Sequence, residues 1–175
     1  MKQFKTTGRE LFFDDDEIIV SKTDLKGKLT YTNPVFIRLA GYSEAELLGK
    51  PHNIIRHPDM PRCVFQLLWE TLGRGEEIFA YVINKSKNGD HYWVLAHVTP
   101  SRNQSGKIIG YHSNRRTPDK KILQSSIIPL YRELVAIENS TSNRKDGMEK
   151  SYQKLLSVAS SQSMKYDEFI ARLAA

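Results

Sequence analysis

The run EEIFAYVINKSKNGDHYWVLAHVTPSRNQSGKIIGYHSNRR, residues 76–116, holds three extended segments rich in β-branched and aromatic residues, separated by KNGD and NQSGK. Both separators carry hairpin chemistry, Asn-Gly and Ser-Gly, so the run predicts three antiparallel strands in a meander. Immediately upstream, PRCVFQLLWETLGRG (61–75) sets Val64, Leu67, Leu68 and Leu72 at helical spacing and stops at Gly73 and Gly75. Farther back, EIIVSKTDLKGKLTYTN (17–33) reads as two strands joined at Asp24 to Lys28. Between them, PVFIRLAGYSEAELLGKP (34–51) predicts two short helices. Pro34 suits a helix start, Gly41 a helix end, and Ser43 with Glu46 a capping box. Two strands, short helices and three strands make an α+β layer: a five-stranded antiparallel sheet with the helices on one face and a pocket between.

The flanks read differently. Residues 1–16 mix Phe4, Leu11, Phe12 and Phe13 with an acidic run, predicting an N-terminal helix or arm, and residues 17–117 form the domain proper. PDKKILQSSIIPLYRELVAIENS predicts a helical extension over 118–139, broken or restarted at Pro129, and residues 140–147 read as a polar linker. Over 148–175, Met148, Tyr152, Leu155, Ala159, Gln162, Tyr166, Phe169 and Leu173 recur at spacings of four and three, an amphipathic helix. That seam suits either a homodimer or partner contact, or a fold back onto the domain.

Composition narrows the function. A net charge of +6 on 175 residues is spread along the chain, which implies no nucleic-acid surface. One cysteine, Cys63, excludes an internal disulfide framework and suits a reducing, cytoplasmic setting. No apolar run reaches the roughly 18 residues of a membrane span, and the charged start lacks a signal peptide's apolar segment. Any membrane association is therefore expected to run through a partner. The chain shows no enzyme constellation: no G-x-S-x-G, no phosphate-binding glycine loop, no carboxylate pair in one motif.

The densest chemistry lies in PHNIIRHPDMPRC, residues 51–63, where Pro51, Pro58 and Pro61 forbid one continuous helix and fix the side chains between them. This segment, with SKTDLKGKLTYTN, GYSEAELLGKPHNIIRHPDMP, LLWETLGRGE, KNGDHYWVLAHVTP and GKIIGYHSNRR, resembles the PAS domains of bacterial aerotaxis and energy-taxis receptors of the Aer type, and more closely the free-standing CetB-like PAS proteins. The resemblance covers roughly residues 18–137. It implies a PAS fold, a non-covalent FAD read as a redox sensor, and output through a methyl-accepting, chemotaxis-type membrane receptor or other transducer. Carried over residue by residue, it implies that Arg56, His57, Asp59 and Trp69 serve FAD, with Asn84, Tyr92 and Trp93 as further contacts. Where that family has an indole early in the third strand, this chain has Phe79.

Read on their own chemistry, these residues leave choices open. Arg56 offers a planar fork for phosphate or an ion pair for Asp59, and Trp69 offers a stacking surface or core packing. His57 projects into a cleft or braces its loop; Asp59 faces the ligand or caps the helix that follows. His52 and His57, five apart across a turn, do not form a metal pair. The run CVFQ faintly resembles the reactive-cysteine run of blue-light flavin domains, against which stands a buried structural thiol at Cys63. A haem-binding gas sensor using one of five histidines and a cofactor-free adaptor are the competing functions.

Overall fold

The computed structural model describes residues 5–160 and 166–173. Five strands form one antiparallel sheet: β1 (Ile19–Thr23), β2 (Leu29–Thr32), β3 (Ile78–Lys85), β4 (His91–Arg102) and β5 (Ile108–Arg116), in the order β2-β1-β5-β4-β3. The meander closes against β1, which leaves β2 and β3 as edges. Between β2 and β3 run α1 (Pro34–Ala40), α2 (Glu44–Leu47), a 3-10 turn (His52–Ile55) and α3 (Arg62–Gly73).

Local chemistry explains the short helices. Asn33 caps α1 by accepting from the Phe36 amide, and it also accepts from the Val20 amide on β1, so one side chain fixes the helix start to the sheet. Gly41 ends α1 in the left-handed conformation, and Ser43 with Glu46 forms a complete capping box on α2. Phe36, Leu47, Ile55, Met60 and Leu72 are fully buried in the core beneath this layer.

A second layer covers the other side of the β3 and β4 strands. After β5 come α4 (Lys120–Ile122), a π-type turn (Leu123–Ile127), α5 (Ile128–Asn139), α6 (Arg144–Ser160) and α7 (Tyr166–Leu173). Pro129 has no amide to give, and the helix absorbs the missing bond in the wider turn just before it, where the Ile128 amide donates to the Leu123 carbonyl. The Tyr131 hydroxyl donates to the Tyr81 carbonyl at 2.6 Å, and its ring lies 5.9 Å from that of Trp93. Tyr166, Phe169 and Ile170 of α7 join the same hydrophobic core. These helices shield the β3 edge, where open backbone groups would otherwise recruit another strand.

The structure selects among the alternatives for the flanks and shortens the linker. Of helix or arm, the N-terminal segment is an arm, extended from Lys5 onward and paired with the β3–β4 turn through Thr7, Arg9 and Leu11. The polar stretch after α5 is shorter than expected: Asn143 accepts from the Lys145 amide at 3.0 Å, so α6 begins at Arg144. Gly147, read as linker chemistry, lies inside that helix, and close packing accounts for the glycine: a Cβ there would sit 2.3 Å from the Glu138 carbonyl oxygen of α5. Last, the seam is divided between α6 and α7, with Gln162 outside the described residues. Leu155, Tyr166 and Phe169 are buried within the chain itself, so the fold-back alternative holds for them and they form no exposed dimer seam.

Candidate functional site

Strand alternation sorts the residues of the site. Val82 and Asn84 on β3, Ala96 and Val98 on β4, and Ser113 and Arg115 on β5 share the face toward α1–α3. Between that face and the segment from Pro51 to Leu72 lies a cavity of about 370 Å³. Its walls are largely apolar, with a few polar groups converging from the strands, the composition of a site for a flat organic ligand.

Those polar groups are incompletely satisfied. Thr23 Oγ1, Arg56 Nε, Asn84 Nδ2, Ser113 Oγ and Arg115 Nη1 are buried on residues that line the cavity, and none has a hydrogen-bond partner in the protein. An orphaned buried donor costs about 1–3 kcal/mol, so five around one space mark a surface complementary to a polar-edged ligand. Asn84 offers an amide edge, Ser113 and Thr23 offer hydroxyls, and the two arginines offer charge.

Arg115 anchors the far wall. It is 4% exposed, no carboxylate pairs with it among the described residues, and its guanidinium stands 5.5 Å from the Phe36 ring centroid. Nη2 donates to Ser21 Oγ at 2.9 Å and to His52 Nε2 at 2.6 Å. Because arginine has only donors, His52 Nε2 accepts, and its proton sits on Nδ1. Burial and the adjacent guanidinium push His52 down to about 3, so the ring is neutral at physiological pH. Burial also draws Arg115 down to about 10, which leaves it charged.

Arg56 stands at the other end. Its backbone bridges Asn84 on the β3 edge, Nη2 donates to the Met60 carbonyl at 2.9 Å, and the guanidinium lies 5.4 Å from the Phe65 ring centroid. The partner offered by the sequence, Asp59, is not its partner. Asp59 is exposed, with its carboxylate 3.8 Å from His57 Nδ1.

The remaining candidates separate by position. Trp69 lines the cavity mouth, 43% exposed, with its ring edge-on to Tyr111 at 5.4 Å. Gly27, at φ +73° in the β1–β2 turn, makes room for it: a Cβ there would lie 3.2 Å from the indole. His57 is buried but faces a neighbouring groove; Nδ1 accepts from the Asp59 amide at 3.1 Å and so braces the loop. Asp59 caps nothing. The start of α3 is served instead by Glu138 of α5, whose carboxylate accepts from the Cys63 amide at 3.0 Å and from Arg62 Nε at 2.8 Å. Tyr92 shares the inner face with Asn84, yet it is packed in the core and does not line the cavity. Trp93, one residue on, is turned to the opposite face, against Tyr131. Cys63 also lies away from the cavity. Ser151 Oγ donates to its sulfur, and burial raises the thiol to about 12.

His52, Tyr111, Ser113 and Arg115 were missed in the sequence. Arg115 left one usable signal: in YHSNRR, alternation puts Tyr111, Ser113 and Arg115 on one face of β5, and a cation on a strand's inner face calls for a reason.

The five-stranded sheet, the short helices over one face and the largely apolar cavity between them are those of the PAS fold: residues 29–115 match the family model described as the PAS fold. At the level of individual proteins, the chain is 46% identical over 123 residues to the aerotaxis receptor of Escherichia coli K12, an alignment that takes in 70% of this chain and 24% of the receptor. It is 32% identical over 109 residues to a nitrogen fixation regulatory protein of Klebsiella pneumoniae, covering 61% of this chain and 22% of that protein. The chain thus spans about a quarter of these curated relatives. Among solved structures, the dark state of the blue-light photoreceptor Aureochrome1 LOV superposes with a TM-score of 0.56 at 21% identity, covering 66% of this chain and 86% of that one. That likeness carries the fold. Among the described residues no helix is long and apolar enough to cross a membrane.

Proposed function

We propose that this PAS domain is a flavin-based redox sensor for energy taxis that holds FAD in the cavity and relays its state to a membrane chemoreceptor or similar transducer. The observation that carries this reading is the ring of five unpartnered buried polar atoms around a 370 Å³ apolar space. An isoalloxazine is flat and apolar across its faces and carries donors and acceptors along one edge, which matches apolar walls with Asn84, Ser113 and Arg115 at the margin. Arg56, with Nε unused, suits a phosphate. The 46% identity to an aerotaxis receptor supports the sensing role.

Bound flavin supplies reversible electron and proton uptake. Asn84, with its amide nitrogen unpartnered, would hold the ring edge, and β3 continues from there in two directions. Just beyond β3, the Gly89 carbonyl of the β3–β4 turn accepts from the Thr7 amide of the N-terminal arm; three residues before Asn84, the Tyr81 carbonyl holds Tyr131 of α5. Changed hydrogen bonding at Asn84 therefore biases both the N-terminal arm at the β3–β4 turn and the C-terminal helices. A haem reading is disfavoured by His52, the histidine lining the cavity, because its acceptor nitrogen is engaged by Arg115. The absorption spectrum of the purified protein tests the reading. Two flavin bands, with FAD released on heating, are expected; a Soret band, or no visible band after reconstitution with FAD, would overturn it.

A further inference from the structure

Next to the cavity lies a groove of about 680 Å³, walled on one side by the 53–58 loop with Lys85 and on the other by the end of α5, the α5–α6 turn and Arg144. Asn53 and Arg56 line both spaces, so the two meet at Arg56. The groove is one-sided in charge. Arg56, Arg62, Lys85 and Arg144 face it against a single carboxylate, Glu138, which Arg62 already holds at 2.8 Å. His57 adds no positive charge of its own, since burial favours its neutral form. Ser142 and Asn139 offer further polar atoms, and Val135 with Pro58 gives an apolar surface for a flat base.

The second wall is this chain's own. The PAS match ends at residue 115, whereas Val135, Glu138, Ser142 and Arg144 belong to the C-terminal hairpin. We propose that this groove seats the diphosphate and adenosine half of the dinucleotide whose ring fills the cavity, which makes the α5–α6 turn a wall of the cofactor site. The inference rests on the flavin reading above. Two adjacent phosphate charges leaving the cavity at Arg56 would meet Lys85 and Arg144, cations for which no carboxylate is in ion-pair reach among the described residues. Cofactor loading would then brace the hairpin directly, and the helices would respond to occupancy as well as to redox state.

Titration of the apoprotein with riboflavin, FMN and FAD, followed by quenching of flavin fluorescence, tests this. In the unaltered chain FAD is expected to bind more tightly than riboflavin. The double variant Lys85→Ala/Arg144→Ala should lower the FAD-to-riboflavin affinity ratio about tenfold, and Ser142→Glu should lower it as well, with riboflavin binding and the far-ultraviolet circular dichroism unchanged in both. An unchanged ratio, or an equal loss for riboflavin and FAD, overturns the groove assignment and leaves the flavin cavity standing. Failure of all three flavins to bind the unaltered chain overturns the flavin reading itself.

Discussion

Arg115 and His52 set the electrostatics of the cavity, and each has a separable consequence. Arg115 is a buried cation whose partners are a hydroxyl, an imidazole and an aromatic face. Such a charge is costly unless something completes it, so Arg115→Met should stabilise the empty protein or leave it unchanged while weakening flavin retention by tenfold or more. Thermal melts with and without bound flavin check both halves. For His52 the sign follows from its depression: the folded value is about 3 against 6.5 when unfolded, so its contribution is complete above pH 6.5 and falls away as the pH drops through that value toward 3. Between pH 6.5 and 5, before most carboxylates titrate, the loss should reach about 2 kcal/mol. Denaturant unfolding across that range reads it, and His52→Gln should flatten the slope while keeping an acceptor for Arg115. A slope equal to that of the unaltered protein would refute the assignment.

At the scale of elements, the domain and its C-terminal helices share one core, and a few long-range polar contacts fix how the flanks sit. Glu138 links the end of α5 to the start of α3 through Arg62 and the Cys63 amide, and the chain passes close enough there that only glycine fits at 147. Removing one partner of a buried ion pair strands the other, so Glu138→Ala should cost about 3 kcal/mol or more by denaturant unfolding. Gly147→Ala should also destabilise, by roughly 1–3 kcal/mol, although alanine is the better helix former; an increase in stability would show that α6 does not approach α5 as described. The N-terminal arm is held by Asp90, whose buried carboxylate accepts from Thr7, Arg9 and Asn88 and lies well below its usual range, at about 2. That contribution is present above pH 3.8 and is lost as the pH falls toward 2. Asp90→Asn should release residues 5–13 to protease while the sheet remains resistant.

Seen as a whole, the molecule was legible in its sequence wherever the signal was local. Asn-Gly and Ser-Gly turns, the Ser43–Glu46 box, Pro34 and Gly41 announce elements that the structure contains, because each acts within a few residues. The sequence also marked the segment around Arg56 and the Trp69 helix as chemically unusual, and both line the cavity. What it concealed depends on distance. Glu138 reaches Cys63 from 75 residues away, so the sequence could offer only Asp59 as a nearby candidate cap, and the facing of Trp93 is set by which strand face the helices α5 and α7 choose. Gly147 read as a linker because close approach to another backbone leaves the same residue as flexibility does.

If the proposed flavin is held at Asn84, its redox state would reach the surface through β3 and the elements docked on it, the arm at Asp90 and the helix at Tyr131. Amide hydrogen exchange on the flavin-loaded protein, oxidised and then reduced under anaerobic conditions, tests it most directly. Changed protection in residues 5–13 and across α5, with α1 and α2 unaltered, is the predicted result; identical protection of both flanks in the two states would contradict it.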